Sequence, residues 1–208
     1  MLKKIYEIKI LYFSKKLVFI FLMGIVSGIP LYLILSTLMI WLTRENIDIA
    51  TIGLFSLTQL PWSLKFIWAP LIDSFTIPIF GKFLGNRRTW LVLTQFLLGC
   101  SIILLGMNDP NKNLFFCALL AMVIAFFSAT QDIIIDAYRI EILKESEQGA
   151  GAAMTQAGYR IGGIISGAGA LYFREIVEWK TVFLFLGILI FIFMFLNFFA
   201  PEELNYKL

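Results

Sequence analysis

The chain has 208 residues, of which 60% are hydrophobic and only 15% are charged, with a net charge of +3. Its mean hydropathy of +0.86 excludes an ordinary water-soluble domain. The absence of histidine excludes Ser-His triads and histidine-ligated metal sites. A helix crosses a bilayer in roughly 20 apolar residues. Six stretches reach that length and predict an all-α, polytopic membrane protein: 17–42, 50–72, 90–107, 113–136, 150–173 and 181–200.

Lysine and arginine residues predict the orientation of these spans. Most of those outside the spans lie in residues 1–16, 73–89 and 139–149. Because positive charge collects on the cytoplasmic side, these segments and both termini are predicted to be cytoplasmic. The predicted organisation is a cytoplasmic segment 1–16, a six-helix bundle 17–200 and a cytoplasmic segment 201–208. The basic net charge follows from this topology and gives no reason to expect a nucleic-acid partner.

The first span is longer than a crossing needs, and Gly24, Gly28 and Pro30 predict that it is kinked or tilted. The stretch is also too long for a secretory signal and lacks a small-residue cleavage pattern, which indicates a permanent span. Cys100 and Cys117 lie in later apolar stretches, where small packing residues are the favoured interpretation.

The second span carries a lysine within apolar sequence. Lys65 lies about 12 Å before Asp73, which ends the span, at a helical rise of ~1.5 Å per residue. A lysine at this depth indicates a functional residue in a water-filled path. The alternative is that Lys65 extends to the membrane interface beside Trp62 and Trp68.

The fourth span places Asp132, Asp136 and Arg139 on one face of a helix. Charged residues within a membrane helix are energetically expensive and predict a functional site. Asp132 lies at a depth similar to that of Lys65, so the two are predicted to pair or to share a cavity. Asp136 and Arg139 lie near the water boundary, where a solvated ion pair is an equally good interpretation.

The fifth span is rich in glycine and alanine, which predicts close helix packing. Its Arg160 suits a carboxylate or a phosphate on a substrate. The alternative is a packing seam in which Arg160 pairs with Asp132. One face of this span combines small residues with polar ones and predicts a binding cavity: Ala153, Gln156, Arg160, Gly163 and Gly167.

Several stretches together resemble one family. They are ATIGLFS (50–56), LPWSLKFIWAPLID (60–73), RRTW (87–90), ATQDIIIDAYR (129–139), GAGAA (149–153) and GYR (158–160). This pattern resembles the major facilitator superfamily and, within it, the AmpG-type muropeptide permeases and the related acetyl-CoA transporters. The superfamily's loop signature is matched by residues 69–73, with alanine for the first glycine, and by Gly85, Arg87 and Arg88 after an insertion.

The resemblance implies one half of a major-facilitator bundle, because members usually have about twelve spans in two halves. It implies a multi-pass protein of a Gram-negative inner membrane that imports anhydromuropeptides, in which GlcNAc is linked to anhydro-MurNAc and a peptide. The proton gradient would drive import, and no other cofactor is expected. The implied partners are the lipid bilayer, the muropeptide and either a second six-helix half or a second copy of the chain.

The resemblance also implies roles for individual residues. Asp132 would carry the coupled proton, and Arg160 and Lys65 would bind the carboxylates of the substrate. The residues expected to bind its sugars by hydrogen bonds are Tyr159, Gln131 and Gln156. The residues expected to latch one conformational state are Asp73, Arg87, Arg88, Asp136 and Arg139.

Two alternatives remain from the sequence. A lone half must pair with a partner half or be a remnant that does not transport. The Asp132-x-x-x-Asp136 spacing is also used by membrane transferases that bind Mg²⁺ through two carboxylates on one side of a helix. The chain lacks their second acidic cluster, and Arg139 on the same face would compete with a metal. We therefore predict no catalytic residue and no metal site.

Overall fold

The computed structural model describes residues 12–75 and 85–201, and all regular structure within these residues is helical. The predicted terminal segments 1–16 and 201–208 and the loop 73–89 lie partly outside them. Six helical segments follow one another along the chain. They are α1 (Lys15–Arg44), α2 (49–74), α3 (Asn86–Met107), α4 (Leu114–Ile142), α5 (148–174) and α6 (Trp179–Phe199).

Four of these helices, α1, α3, α4 and α6, are long and apolar enough to cross a membrane. The other two overlap the second and fifth predicted spans but are less regular. α2 consists of short α-helices joined by 3₁₀ turns, and a π-turn interrupts α5. The all-helical fold is thus confirmed for the described residues. The count of six spans and the cytoplasmic position of both termini stay predictions.

The first helix is irregular in the region where a kink is predicted. Pro30 lies inside α1, and a π-turn, Leu33–Leu38, follows it directly. Proline lacks the backbone N–H that would continue the helical hydrogen bonding, so the local geometry must adjust. The Thr37 hydroxyl in this π-turn donates a hydrogen bond to the carbonyl of Ser166, which lies in the π-turn of α5. The two irregular turns therefore meet.

Glycine residues bring α1 and α5 into backbone contact, along what we call the glycine seam. A Cβ atom at Gly28 would lie 2.1 Å from the carbonyl oxygen of Tyr159, and one at Gly162 would lie 2.1 Å from that of Ile25. No side chain larger than hydrogen fits at such distances, and small residues are the usual means of close packing between membrane helices. The seam consists of Gly24, Gly28, Gly158 and Gly162.

The second segment is attached mainly to α4. The indole N–H groups of Trp62 and Trp68 donate hydrogen bonds of 3.3 and 3.1 Å to the hydroxyls of Ser128 and Thr130. Both tryptophans thus have their polar atom satisfied by α4, although their position suggested interfacial residues. Most large apolar side chains of α2 are exposed, so these two bonds are a substantial part of its attachment.

Local sequence explains where α2 begins and why it is irregular. The carboxylate of Asp48 accepts hydrogen bonds from Thr51, which hold the pKa of Asp48 below its ordinary value. An acidic residue at this position stabilises the start of a helix. Pro61 and Pro70 then lie at the start of two further short helices, because proline is best tolerated in the first turn of a helix.

The ends of α1, α5 and α6 meet in a cluster of aromatic and charged side chains. Trp41 packs against Trp179 and Phe183 at ring-centroid distances of 5.8 and 5.0 Å. The guanidinium of Arg44, next to this cluster, forms an ion pair with the Glu175 carboxylate at an N–O distance of 2.7 Å. The cluster joins three helices at the end of the bundle opposite to the predicted cytoplasmic loops.

The interior of the bundle lies between α1, α3, α4 and α6. α3 and α6 pack closely, and the Asn197 amide donates a buried hydrogen bond of 2.6 Å to the side chain of Gln95. Cys117 is fully buried and Cys100 is half-buried, and both are free thiols. Both cysteines therefore act as small packing residues.

Candidate functional site

Asp132 lies at a meeting point of four helices. The buried hydroxyl of Ser27 in α1 donates a hydrogen bond of 2.5 Å to the Asp132 carboxylate. Lys65 of α2 and Tyr159 of α5 lie close enough to interact with this carboxylate electrostatically. A half-buried acid that is hydrogen-bonded from one neighbouring helix and lies near polar groups of two others fits the expectation that charged residues within membrane helices face the bundle interior.

Lys65 does not form the direct ion pair that its depth suggested. The lysine is half-buried on a 3₁₀ turn, and no bond within 4.0 Å joins its side chain to Asp132, although both residues are described. The backbone of α2 departs from regular α-helical geometry at this turn. The position of the Lys65 side chain therefore could not be predicted from its depth along an ideal helix. The Lys65 charge still acts on Asp132 from a longer distance.

The structure separates two features of α5 that the sequence analysis placed on one face. Arg160, Gln156 and Ala153 are exposed, whereas the seam glycines face α1. Arg160 lies about 160° around the helix from Gly162, at 100° per residue. Gly163, which was assigned to the polar face, packs against the ring of Tyr32. The polar face and the packing face of α5 are therefore different surfaces.

The alternative role for Arg160 was a pair with Asp132 within a packing seam. No hydrogen bond or ion pair joins Arg160 to any of the described residues. In the predicted fifth span, an exposed guanidinium would be costly in lipid, by about 2.5–3.5 kcal/mol on insertion scales. The exposed face of α5, which we call the Arg160 face, consists of Ala153, Gln156 and Arg160.

Tyr159 connects the Arg160 face with the Asp132 region. Its half-buried ring contacts that of Tyr32 edge to face, with centroids 6.2 Å apart. Its backbone carbonyl contacts Gly28 in the glycine seam. Tyr159 thus lies next to Asp132 and beside Arg160 in the chain, as expected of a residue lining the same site.

Gln131 lies in the interior and not on an accessible surface. Its side chain is fully buried, and neither its amide nitrogen nor its amide oxygen has a hydrogen-bond partner among the described residues. A buried amide without partners is unfavourable by about 1–3 kcal/mol. A direct bond from Gln131 to a sugar is therefore incompatible with this conformation, in which no surface reaches it.

Two of the predicted latch residues, Asp73 and Arg87, lie in ion pairs at the predicted cytoplasmic end. Gly85, with a φ of 80°, leads into α3 and places Arg87 in its first turn. The Arg87 guanidinium donates to Asp73 at 2.6 Å and, through two N–H groups, to Glu141 at 2.7 and 3.0 Å. These contacts connect the end of α2, the start of α3 and the end of α4.

Arg88, Asp136 and Arg139 have other partners. The Arg88 guanidinium donates a hydrogen bond of 3.2 Å to the carbonyl of Ala200, which follows α6. Arg139 forms an i,i+3 ion pair of 3.4 Å with Asp136, which is the solvated pair considered in the sequence analysis. Since Asp132 is bound by Ser27 and Asp136 by Arg139, the two carboxylates are directed to different partners.

We expect the two acidic partners of Arg87 to differ in importance. Glu141→Gln should lower the free energy of unfolding by about 1–2 kcal/mol, because the Glu141 side chain is only 29% exposed and receives two charge-assisted bonds. Asp73→Asn should change it by less than about 1 kcal/mol, because Asp73 is 53% exposed. Thermal unfolding of the purified protein in detergent measures both, and equal effects would contradict this ranking.

A cavity of about 420 Å³ lies between α2 and α4 and is lined by apolar and aromatic side chains. It includes none of the predicted site residues. Its lining is formed by Leu60, Pro61, Leu64, Trp68, Met122, Val123, Phe126 and Phe127. Such a lining suits lipid or packing contacts and not a sugar, so the candidate site remains the region around Asp132 and the Arg160 face.

Comparison with known proteins decides the family. The model of the Major Facilitator Superfamily matches residues 15–207, which is almost the whole chain. The chain belongs to the Major Facilitator Superfamily. Together with the four apolar helices, this membership identifies a multi-pass protein of the inner membrane and points to a transporter rather than an enzyme.

Relatives within the superfamily come from several bacteria. The chain is 42% identical over 182 residues to the anhydromuropeptide permease of Escherichia coli K12, covering 87% of the chain and 36% of the permease. It is 40% identical over 191 residues to an uncharacterized protein of Haemophilus influenzae, covering 92% and 44%. It is 41% identical over 172 residues to the AmpG 4 protein of Rickettsia conorii, covering 82% and 41%. The chain thus spans less than half the length of these relatives.

Three residues of this region were missed by the sequence analysis. Ser27 contacts Asp132, Tyr32 contacts Tyr159, and Glu141 holds Arg87. A hydroxyl beside Gly28, in a helix predicted to be kinked or tilted, was the signal for Ser27. Glu141 was visible only as one more acidic residue after the fourth span, because no local pattern pairs it with Arg87.

Proposed function

We propose that this chain is one half of a proton-driven permease that imports anhydromuropeptides across the inner membrane for reuse in cell-wall synthesis. The observation that carries the proposal is the Arg160 face. It presents a guanidinium and an amide beside an acid that is held between helices. The names of the full-length relatives support the substrate class.

The chemistry of the substrate fits these residues. An anhydromuropeptide carries carboxylates on its peptide, and the planar guanidinium of Arg160 binds carboxylates through two parallel hydrogen bonds. Lys65 supplies a second positive charge from α2. Gln156 and Tyr159 present an amide and a hydroxyl for the sugars. Asp132 carries the coupled proton, because it is the acid held within the bundle.

The exposure of the Arg160 face also supports a role for a second six-helix unit. A charged face in the middle of a membrane helix requires water or protein in front of it. In secondary transporters, substrate binds between two halves that rock against each other. We propose that the second unit, a separate half or another copy of this chain, covers the Arg160 face and encloses the substrate.

The ion pairs at the predicted cytoplasmic end are proposed as the conformational latch. Arg87 with Asp73 and Glu141 connects three helix ends, and the Asp136–Arg139 pair lies on the next turns of α4. Such pairs stabilise the state in which these ends are together. Arg88 is proposed to act differently, by holding the carbonyl of Ala200 where the chain leaves α6.

Uptake of radiolabelled anhydromuropeptide tests the proposal in cells that lack their own permease. The chain is expressed alone and together with the remaining C-terminal part of the Escherichia coli relative. We expect uptake that an uncoupler abolishes in at least one arm. Uptake by the chain alone indicates a working assembly of copies, and uptake only with the added part indicates a separate half. No uptake in either arm, with the protein folded in the membrane, overturns the proposal in favour of a remnant.

A further inference from the structure

Ser27 uses its hydroxyl in an unusual way for a helix. Most serine and threonine hydroxyls in membrane helices bond to the carbonyl one turn earlier in their own helix. That arrangement holds for Thr94, Ser101, Thr130, Thr155 and Ser166. The hydroxyl of Ser27 instead leaves α1 and donates to the carboxylate of Asp132 on α4 at 2.5 Å.

We infer that Ser27 is a positioning residue that sets the pH at which Asp132 exchanges its proton and that transmits this event to α1. The inference rests on the proposed function, in which Asp132 carries the coupled proton. Ser27 is 5% exposed and fixed by its helix, so its hydroxyl cannot follow the carboxylate without movement of α1.

A serine hydroxyl suits both protonation states of a carboxyl group. It has one donor and two acceptor lone pairs, so it donates to the ionised acid and accepts from the neutral one. A hydrogen bond to an ionised group is roughly twice as strong as a neutral one. Ser27 therefore favours the ionised form of Asp132 over the neutral form.

The other charged and titratable groups around Asp132 come from the remaining elements that face it. They are Lys65 of α2 and Asp136, one turn further along α4. Tyr159 of α5 also lies close by, with a hydroxyl that can donate and accept hydrogen bonds. Of these neighbours, only Ser27 has a direct hydrogen bond to Asp132 among the described residues.

The position of Ser27 connects this proton to the Arg160 face. Ser27 directly precedes Gly28, whose backbone touches Tyr159 in the glycine seam. α1 and α5 therefore move as one pair. When Asp132 gains a proton, the bond to Ser27 weakens, and α1 and α5 are held less firmly to α4 at this level. Hydrogen bonds from Lys16 and Gln148 to carbonyls near the end of α4 persist, so the helix pair shifts about that end.

Infrared titration of the purified full chain in lipid nanodiscs tests the inference without any transport. The band of the protonated carboxyl of Asp132 is identified by its loss in Asp132→Asn. We expect Ser27→Ala to raise the midpoint of its titration by about one pH unit, as removal of one charge-assisted bond predicts. Ser27→Thr keeps the hydroxyl and should restore the wild-type midpoint. Ser101→Ala should leave it unchanged, because Ser101 bonds only within α3.

The outcomes are distinct from those of the uptake assay. An unchanged midpoint in folded Ser27→Ala overturns the inference, whether or not uptake is observed. If Ser27→Ala does not fold, Ser27→Cys replaces it, because a thiol of similar size is a weak donor and must shift the midpoint in the same direction. Where uptake occurs, its pH profile should shift with the infrared midpoint, and a profile that does not move also overturns the inference.

Discussion

Asp132→Asn is expected to abolish accumulation of substrate while leaving exchange down a gradient intact. Asparagine keeps an oxygen that accepts the Ser27 hydrogen bond but cannot bind and release a proton. One proton that crosses a potential of 100 mV supplies about 2.3 kcal/mol. That energy corresponds to a roughly 50-fold accumulation ratio. Loss of coupling should lower the ratio by about this factor for each 100 mV of membrane potential.

The measurement compares accumulation with exchange in the arm of the uptake assay that supports transport. Asp109→Asn is the matched control, because Asp109 lies in the loop before α4 and its carboxylate contacts only exposed Lys112 and the backbone N–H of Asn111 among the described residues. We expect this control to accumulate substrate like the wild type. Uncoupler-sensitive accumulation by Asp132→Asn at the wild-type level would show that another group carries the proton.

Gly162→Ala is expected to be strongly destabilising, although it adds only one methyl group. The added Cβ would lie 2.1 Å from the carbonyl oxygen of Ile25. The nearest atoms around it are all backbone atoms of α1, so no flexible side chain can move aside to make room. Overpacking of this kind lowers the free energy of unfolding by about 3 kcal/mol. For a chain of this size, the midpoint of thermal unfolding should fall by roughly 6–12 °C.

Gly167→Ala is the matched control, in the same segment and also buried. A Cβ at Gly167 would meet no atom within 4 Å. Alanine favours the helix over glycine by up to about 1 kcal/mol, so this variant should be as stable as the wild type or more stable. Thermal unfolding followed by size-exclusion chromatography in detergent compares the two. Equal losses would mean that glycine is needed along α5 for its backbone and not for contact with α1.

The sequence predicted the parts of the fold that depend on local pattern. Apolar length located α1, α3, α4 and α6, and helical periodicity placed Asp132 on the face that meets other helices. Neither property says which helix lies opposite a given face. The seam face of α5 and its Arg160 face were therefore merged, although the structure separates them by most of a half turn.

The candidate site was harder to predict for the same reason. The Ser27–Asp132 bond joins residues 105 positions apart, and the contact of Arg88 with Ala200 spans 112. Such pairs follow from the packing of whole helices and leave no trace in a short window of sequence. Lys65 and Asp132 were predicted to pair directly or to share a cavity, and the structure brings them only close enough to interact electrostatically. Their direct pairing failed because 3₁₀ turns change the direction of side chains along α2.

The glycine seam has a consequence for the order in which the protein is made. Contacts between α1 and α5 join residues about 130 positions apart, as with Thr37 and Ser166 at a separation of 129. A ribosome adds ~5–20 residues per second, so α1 waits roughly ten seconds for the helix that covers its glycines. During that time α1 enters the bilayer with a backbone surface that only α5 fits. Synthesis of α5 therefore completes the packing of the first helix.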